Sequence, residues 1–281
     1  MKKIGITSDW CTKNHTLEDG VKFIKECGYD CIDLEDFGDT TTPFFMQSER
    51  EFLSSVRDIR KIYENSGLII QQTHAPWTYP PPDTSEQLRK IRTEEMKKAV
   101  RGTAEVGSEN FVVHPLMPFG PESGDNPEEF KQINYEFLRA ICKTGSECGV
   151  TICLENMPMK LLPIATVDEV IECVKVVNEP NLKICLDTGH ALVRGEQPAE
   201  SVLKIGKNLL KCLHIHDNDA SHDAHEPFYN GICDWDAFVK SLKQINYENP
   251  FMLEVAHTKS ERFLGENHAS ILAQTAKKLW N

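Results

Sequence analysis

The sequence predicts a (β/α)8 barrel in which residues 1–281 form a single domain. Eight short segments rich in β-branched and apolar residues alternate with eight segments of helical periodicity, and each strand–helix pair has the size of one βα unit. A doubly wound open sheet is the competing fold. The chain has neither a G-x-G-x-x-G run after an early strand nor a Pro/Gly/Ser-rich linker between domains, and both absences favour the barrel.

The predicted strands are short, and several are continuous apolar runs, as expected for a sheet that helices cover on both faces. Cys153, Cys185 and Cys212 lie inside such runs, where cysteine behaves as a small buried hydrophobic residue. From the N-terminus, the strands are predicted at Lys3–Thr7, Asp30–Leu34, Leu68–Thr73, Asn110–His114, Val150–Glu155, Leu182–Asp187, Lys211–His216 and Pro250–Val255.

The predicted helices carry residues that begin and end helices. Thr16 opens the first helix with the pattern T-L-E-D, and Gly28 follows its last residue. Gly107 and Gly149 end two later helices directly before a strand, which is typical of βαβ chains. In chain order, the helices are predicted at Thr16–Cys27, Ser48–Ser66, Ser85–Val106, Glu128–Cys148, Thr166–Val177, Pro198–Leu210, Asp234–Ile245 and Lys259–Leu279.

Composition excludes several classes of protein. Apolar residues make up 40% of the chain and charged residues 26%, which is typical of a globular protein and not of a disordered or fibrous one. The formal net charge of −12 argues against a surface that binds phosphate backbones or anionic lipid. No apolar run approaches the roughly 18 residues of a membrane span. The ten cysteines form no C-x-x-C pair, so we expect a reduced, cytoplasmic protein.

Six consecutive predicted strands end in histidine or a carboxylate. A single such residue is usually the first solvated side chain after a strand, but all six meet on the face of a barrel where active sites form. Crowded carboxylates without a nearby lysine repel one another unless a cation binds them, and carboxylate oxygens with an imidazole suit Mn²⁺, Zn²⁺, Mg²⁺ or Co²⁺. The strand-end residues are His74, His114, Glu155, Asp187, His214 with His216, and Glu254.

A second cluster of acidic residues and histidines follows strand 7, between Asp217 and Glu226. It fits two interpretations equally well by its spacing. The cluster could be a polar surface loop, or Asp223 and His225 could supply further ligands to the same rim.

These motifs together resemble the xylose isomerase-like TIM-barrel superfamily, which includes sugar isomerases and epimerases as well as endonuclease IV. The resemblance covers strands 3 to 8, and its motifs are specific in combination and weak singly. They are E-N on strand 5, D-T-G-H-A on strand 6, H-x-H-D-N-D on strand 7 with D-x-H and G-x-x-D-W after it, and the glutamate of strand 8.

The resemblance implies a metal site formed by Glu155, Asp187, His214 and Glu254, with Glu155 and Glu254 also acting as the acid/base pair. It implies a substrate contact for His190. His216 points the same way as His214 by strand alternation, so we expect it to contact the substrate too, and we expect His74 and Trp77 to line the same site. The endonuclease IV branch uses nine ligands for three zinc ions, and this chain has a residue of the right type at each matching position. The additional metal ligands would then be His114, His190, Asp223, His225 and His74.

Charge at the rim distinguishes the two branches. A surface that binds duplex DNA needs many lysines and arginines, but the loops after the strands hold few cations and many carboxylates. Aromatic residues in these loops, including Trp77, suit the C–H faces of a polyol. The rim cations are Lys13, Lys160, Arg194, Lys259 and Arg262.

The sequence therefore predicts a metal-dependent sugar isomerase or epimerase that moves a proton through a metal-stabilised enediolate. The predicted partner is a small, free sugar, with no nucleic acid and no membrane. The alternative is an endonuclease IV-like, zinc-dependent phosphodiesterase acting on abasic DNA, and a third class is a metal-binding protein without activity. The sequence leaves open which sugar is the substrate, whether it is phosphorylated, and whether the reaction is an epimerisation or an aldose–ketose isomerisation. It also leaves open the metal, its stoichiometry and the oligomeric state, a homo-oligomer included.

Overall fold

The computed structural model describes residues 2–12, 15–81, 83–256 and 267–281. Eight parallel strands form a nearly closed barrel with helices around it, which confirms the predicted (β/α)8 fold. The strands are β1 (Ile4–Thr7), β2 (Cys31–Leu34), β3 (Ile69–His74), β4 (Asn110–Val113), β5 (Thr151–Glu155), β6 (Leu182–Asp187), β7 (Leu210–His214) and β8 (Phe251–Leu253).

The barrel closes between β7 and β8, just past the end of β7. The sheet order is β7-β6-β5-β4-β3-β2-β1-β8. The Ile215 amide donates to the carbonyl of Met252 at 3.0 Å, and the Glu254 amide donates to the carbonyl of Ile215 at 3.1 Å. The residues that follow β7 and β8 are therefore neighbours at the rim.

Several predicted helix caps are present at the residues expected. The Thr16 side chain accepts from the Asp19 amide, and Gly28 takes the left-handed conformation that ends the helix. Ser48 and Thr166 form capping boxes. The described helices are α1 (Asp9–Thr12), α2 (Leu17–Cys27), α3 (Glu49–Ser66), α4 (Glu86–Glu105), α5 (Pro127–Cys148), α6 (Val167–Val177), α7 (Thr188–Val193), α8 (Pro198–Ile205), α9 (Trp235–Gln244) and α10 (Asn267–Trp280).

The structure differs from the prediction in several element bounds and in two additional short helices. The short helices α1 and α7 follow β1 and β6 directly and were not predicted. The helix predicted over Pro198–Leu210 ends at Ile205, because Gly206 follows it with a φ of 69°. Strand β7 ends at His214, two residues before the predicted end. The start predicted for the last helix, Lys259, lies outside the described residues.

Two clusters of apolar side chains fill the molecule. The larger one packs the helices against the strands. The smaller one consists of Val112, Cys153, Cys185 and Cys212. Each of these cysteines lies two residues before a strand-end residue, so by alternation it points into the barrel beneath the rim. All ten cysteines are described, and all are free thiols.

Among the described residues, no helix has both the length and the apolar character that crossing a membrane would need.

Candidate metal centre

A cavity of about 450 Å³ opens at the carboxyl ends of the strands. Histidines, carboxylates, aromatic residues and methionines line it. Among its described lining residues there is no lysine or arginine. They are Glu35, Gly38, His74, Trp77, Tyr79, His114, Glu155, Met157, Pro158, Met159, His190, Asp223, His225 and Glu254.

Four predicted ligands meet at the base of this cavity. Glu155, Asp187, His214 and Glu254 each offer an oxygen or nitrogen atom, and these atoms lie within 4.8 Å of one another. His214 Nδ1 lies 2.9 Å from Glu155 Oε1 and 3.0 Å from Glu254 Oε2. A single N–H makes a well-aligned hydrogen bond to only one acceptor. Glu254 Oε2 is left buried without a hydrogen-bond partner. Acceptors that outnumber donors in this way fit a bound cation.

Hydrogen bonds to both its backbone and its side chain hold Asp187 in place. The Asn156 side chain donates to the carbonyl of Asp187 at 3.0 Å and accepts from its amide at 2.8 Å. Asp187 Oδ1 accepts from the His190 amide at 2.6 Å, which caps α7. The E-N and D-T-G-H motifs therefore form one hydrogen-bonded unit across β5 and β6.

Glu155 lies between two groups of histidines. Its Oε1 atom faces His214, whereas its Oε2 atom lies 2.9 Å from His114 Nε2 and 3.7 Å from His74 Nε2. His74 Nδ1 donates to the carbonyl of Ala75 at 2.8 Å, so Nε2 is the nitrogen that faces the cavity. A carboxylate with one oxygen toward each group could bridge two metal ions.

The cluster after β7 lies at the rim, where Asp223 and His225 meet His190. Asp223 Oδ2 lies 3.1 Å from both His190 Nε2 and His225 Nε2. The Nδ1 atoms of these rings face the backbone carbonyls of Asn156 and Glu254 at 2.8 and 2.9 Å. His190, Asp223 and His225 thus form a third group that could hold a metal ion.

His216 lies beneath the cavity and not in its wall. It is completely buried, its Nε2 lies 3.0 Å from Asp187 Oδ2, and its ring stacks on His225 with centroids 4.0 Å apart. A Cβ at Gly189 would overlap this ring, because Nε2, the farthest of the three nearest ring atoms, would lie only 2.8 Å from it. The glycine of the D-T-G-H motif therefore leaves room for His216.

Trp77 lines the cavity, half-buried, and its ring meets His114 edge-on with centroids 4.4 Å apart. Other rim aromatics belong to the core instead, since Phe37 and Phe45 are buried against Phe52. Of the predicted rim cations, Lys160 is exposed and Arg194 half-buried, and the rest lie outside the described residues. Those outside are Lys13, Lys259 and Arg262.

The candidate acid/base carboxylates are held ionised by the imidazoles. Burial alone would raise the pKa of Glu155, but His214 and His114 hold the pKa of its carboxyl well below the ordinary value. Burial likewise opposes the charged form of Glu254, and His214 again lowers the pKa of that carboxyl.

The histidines around Asp223 show the reciprocal effect. Burial opposes their charged form, but Asp187 and Asp223 raise the pKa of His190 to about 10, and Asp223 with Glu254 raises that of His225 to about 11. Metal-free, these imidazoles carry protons where a cation would bind, so metal binding should release protons.

Sequence reasoning missed Asp33 and assigned no role in the site to Glu35 or Asp217, which it counted only among the acidic residues of the rim. Asp33 on β2 contacts His214 at 2.8 Å, and Glu35 lines the cavity just after β2. Asp217 accepts hydrogen bonds from the Tyr229 and Cys233 amides and the Trp235 indole, which folds the loop after β7. For Asp33 the available signal was a carboxylate inside an otherwise apolar strand, which requires a partner.

Comparison with known proteins places the fold among characterised families. The family model described as xylose isomerase-like TIM barrel matches residues 21–277. A protein of Methanocaldococcus jannaschii of unknown function is 33% identical over 187 residues, 64% of this chain and 62% of that protein. The chain thus spans about three fifths of the length of this relative.

Relatives from both branches also match. The D-psicose 3-epimerase of Ruminiclostridium cellulolyticum is 19% identical over 83% of this chain and 76% of its own length. A Mycoplasma mobile protein named "probable endonuclease 4" is 26% identical over 70% of this chain and 72% of its own length.

Two solved structures each align with the whole of this chain over 98% of their own length. A D-tagatose 3-epimerase-like protein superimposes with a TM-score of 0.78 at 25% identity. The IOLI protein with a bound zinc atom superimposes with a TM-score of 0.78 at 20% identity, which shows a shared fold.

Proposed function

Since the chain belongs to the xylose isomerase-like TIM-barrel family, we propose that it is a metal-dependent sugar isomerase or epimerase that acts by proton transfer. The observation that carries the proposal is the convergence of three carboxylates and one imidazole at the base of a cavity of about 450 Å³. Sugar epimerases among the relatives support the same reaction class.

Glu155, Asp187, His214 and Glu254 would hold a divalent metal ion. The buried, unpartnered Oε2 of Glu254 and the mixed oxygen and nitrogen donor set fit Mn²⁺, Zn²⁺, Mg²⁺ or Co²⁺. When bound, such an ion would polarise a substrate carbonyl and stabilise the negative charge that develops on its oxygen. Two other groups could hold further ions: His74 with Glu155 and His214, beside which His114 contacts Glu155, and His190 with Asp223 and His225.

Glu155 and Glu254 would move the proton. Strands β6 and β7 separate β5 from β8 on one side of the barrel, so the two carboxylates reach the cavity from different directions. Both are ionised at neutral pH, and either can act as the general base that removes a carbon-bound proton. Return of a proton from the opposite side gives epimerisation, and transfer by one carboxylate between neighbouring carbons gives isomerisation.

The substrate would be a free sugar. The described lining of the cavity has no lysine or arginine to pair with a phosphate, whereas its acceptors suit hydroxyl groups. His74, Trp77 and His190 line the cavity and would contact the substrate. His216 would act from beneath, because it is completely buried against Asp187.

A metal analysis followed by a substrate screen tests this proposal. The purified protein is loaded with Mn²⁺, Zn²⁺, Mg²⁺ or Co²⁺ and incubated in heavy water with free ketoses and, in parallel, their phosphate esters. We expect deuterium at one substrate carbon and a new epimer or isomer. Glu155→Gln and Glu254→Gln should each abolish turnover while retaining some metal. Turnover of an identified sugar without deuterium at carbon would refute proton transfer and indicate a hydride shift.

A second candidate function is metal-dependent cleavage of abasic DNA. The observation that favours it is that eight of the nine positions expected for a three-zinc centre lie in overlapping groups around this cavity, and the ninth, His114, lies 2.9 Å from Glu155. The acidic character of the rim argues against it, because duplex binding requires phosphate neutralisation. We expect no incision of an abasic duplex near physiological salt. Efficient incision that Glu155→Ala abolishes would reverse the ranking of the two functions.

A further inference from the structure

We propose that Asp33 is a positioning residue for the metal centre, which orients the His214 ring so that Nδ1 faces the bound ion. This inference rests on the proposed function, because it assigns Asp33 a role toward the metal that Glu155, Asp187, His214 and Glu254 would hold. Asp33 is not itself among the four converging ligands.

The contact between Asp33 and His214 fixes which ring nitrogen carries hydrogen. His214 Nε2 lies 2.8 Å from Asp33 Oδ2, and both residues are completely buried. A carboxylate only accepts, so Nε2 is the donor in this pair. In the neutral ring that metal binding requires, the opposite nitrogen, Nδ1, is then left with a lone pair that points toward Glu155 and Glu254. Asp33 therefore selects both the tautomer and the ring orientation that metal binding needs.

His214 is the exception among the histidines of the centre. His74, His190 and His225 each turn Nδ1 to a backbone carbonyl and present Nε2 to the cluster. In His214 the ring is reversed, and a side chain holds the outer nitrogen. A backbone carbonyl is fixed by the fold, but a side-chain acceptor can be removed by substitution. The role of Asp33 is thus testable in a way that the other three orientations are not.

Gln72 holds Asp33 in turn. Its Nε2 donates to the same Oδ2 atom at 2.7 Å, and the two residues are partners across β2 and β3. The register of this strand pair shifts between Ile32 and Asp33. Two donors on one oxygen leave Asp33 little freedom to rotate. The chain from Gln72 through Asp33 to His214 therefore links β3 and β2 to β7 across the barrel interior.

Metal affinity distinguishes positioning from a merely structural role. Metal-free Asp33→Ala, Asp33→Leu and Asp33→Asn proteins are titrated with Zn²⁺ and with Mn²⁺ in competition with a chromogenic chelator. We expect the Ala variant to bind about 10–100-fold more weakly, the usual effect of removing the partner of a metal-binding histidine. The Leu variant fills the space of the lost carboxylate, and the same loss is expected there if the Ala variant does not fold.

Asp33→Asn should behave differently, because its amide oxygen can still accept from His214. Its amino group would lie where Oδ1 now has no partner, so we expect a lower melting temperature but a metal affinity close to that of the wild type. Asp83→Ala is the matched control, since Asp83 is equally buried but accepts from the Met117 amide in the loops after β3 and β4. It should lose stability and keep its metal affinity.

The outcomes separate this inference from the proposed function. If the wild type binds no divalent metal, the proposed function fails and the role of Asp33 fails with it. If the wild type binds metal and the Ala and Leu variants bind it equally well, the proposed function stands and only the positioning role is refuted. A loss of affinity as large in Asp33→Asn as in Asp33→Ala would also refute the tautomer argument.

Discussion

Asp187 offers the sharpest test of the metal centre, because one carboxylate makes two hydrogen bonds and is also a proposed metal ligand. Its Oδ1 atom caps α7 by accepting from the His190 amide at 2.6 Å, and its Oδ2 atom faces His216 Nε2 at 3.0 Å. The side chain is completely buried and belongs to the four-residue ligand group. Asp187→Ala removes all three interactions, whereas Asp187→Asn keeps the shape and the capping oxygen.

The magnitudes follow from these contacts. Loss of an N-cap costs about 1 kcal/mol. Leaving His216 buried without its acceptor costs about 1–3 kcal/mol more. Metal at 100 times its dissociation constant stabilises the wild type by about 2.7 kcal/mol. In a domain of this size 1 kcal/mol corresponds to roughly 2–4 °C, so the metal should raise the wild-type melting temperature by roughly 5–11 °C.

Thermal unfolding with EDTA and with excess metal separates these contributions. In EDTA, Asp187→Ala should melt roughly 4–16 °C below the wild type, and added metal should give it no gain. Asp187→Asn should lose less stability in EDTA but most of the metal-dependent gain. Ser85→Ala is the matched control, because Ser85 caps α4 by accepting from the Leu88 amide and is not among the residues that line the cavity. It should lose cap stability and keep the full gain from metal.

One result would refute the reasoning. If the Ala variant gained as much from metal as the wild type and contained equal metal, Asp187 would not be a ligand, and the centre would have to be assigned to the other groups.

Three further predictions test the packing and the charges of the site. Gly189→Ala should cost about 1–3 kcal/mol or more and lower metal content, because its Cβ would overlap the His216 ring; an unchanged melting temperature would contradict the packing argument. Burial raises the pKa of Glu35 to about 8, so the folded metal-free protein keeps a proton that the unfolded chain releases at lower pH, and stability falls as pH rises through 8. Glu35→Gln should remove that loss, so its free energy of unfolding in urea should exceed that of the wild type above pH 8. A variant that is less stable than the wild type at every pH would count against this prediction. The pKa of His190 is raised to about 10 and that of His225 to about 11. These shifts stabilise the metal-free protein fully at a pH below the ordinary histidine pKa, and this stabilisation is lost as the pH rises through about 10 and 11. Stability in EDTA should therefore decline from pH 7 to 10, and a flat profile would exclude this effect.

Much of the site could be predicted from the sequence because a parallel barrel brings all strand ends to one face. His74, Glu155 and Asp187 end their strands, and His114 and Glu254 follow theirs by one residue. Once the strands are located, their convergence follows from topology alone. The sequence could not decide whether Asp223 and His225 join them, since the path of a loop depends on tertiary contacts such as those of Asp217.

The missed residues have a different physical origin. Asp33 lies inside β2 and Glu35 just after it, on a strand whose end seemed to carry no site residue. Their importance depends on contacts between strands, such as that of Asp33 with His214 across the barrel, which periodicity does not encode. Helix α7 was missed because it begins within the D-T-G-H motif itself, where Asp187 is both a candidate ligand and a helix cap.

The close contact at Gly189 limits how this protein could be re-engineered. Four consecutive residues each have a different contact. Asp187 belongs to the four-residue ligand group, and the Thr188 hydroxyl donates to the carbonyl of His216 at 2.7 Å. Gly189 leaves space for the His216 ring, and His190 contacts Asp223. No position in this stretch is free to vary without disturbing another, so a mutant library directed there would yield mainly inactive clones. Trp77 and Tyr79 line the same cavity from the loop after β3 and take no part in that unit. Directed evolution of substrate preference should therefore succeed on the β3 side of the barrel and fail on the β6 side.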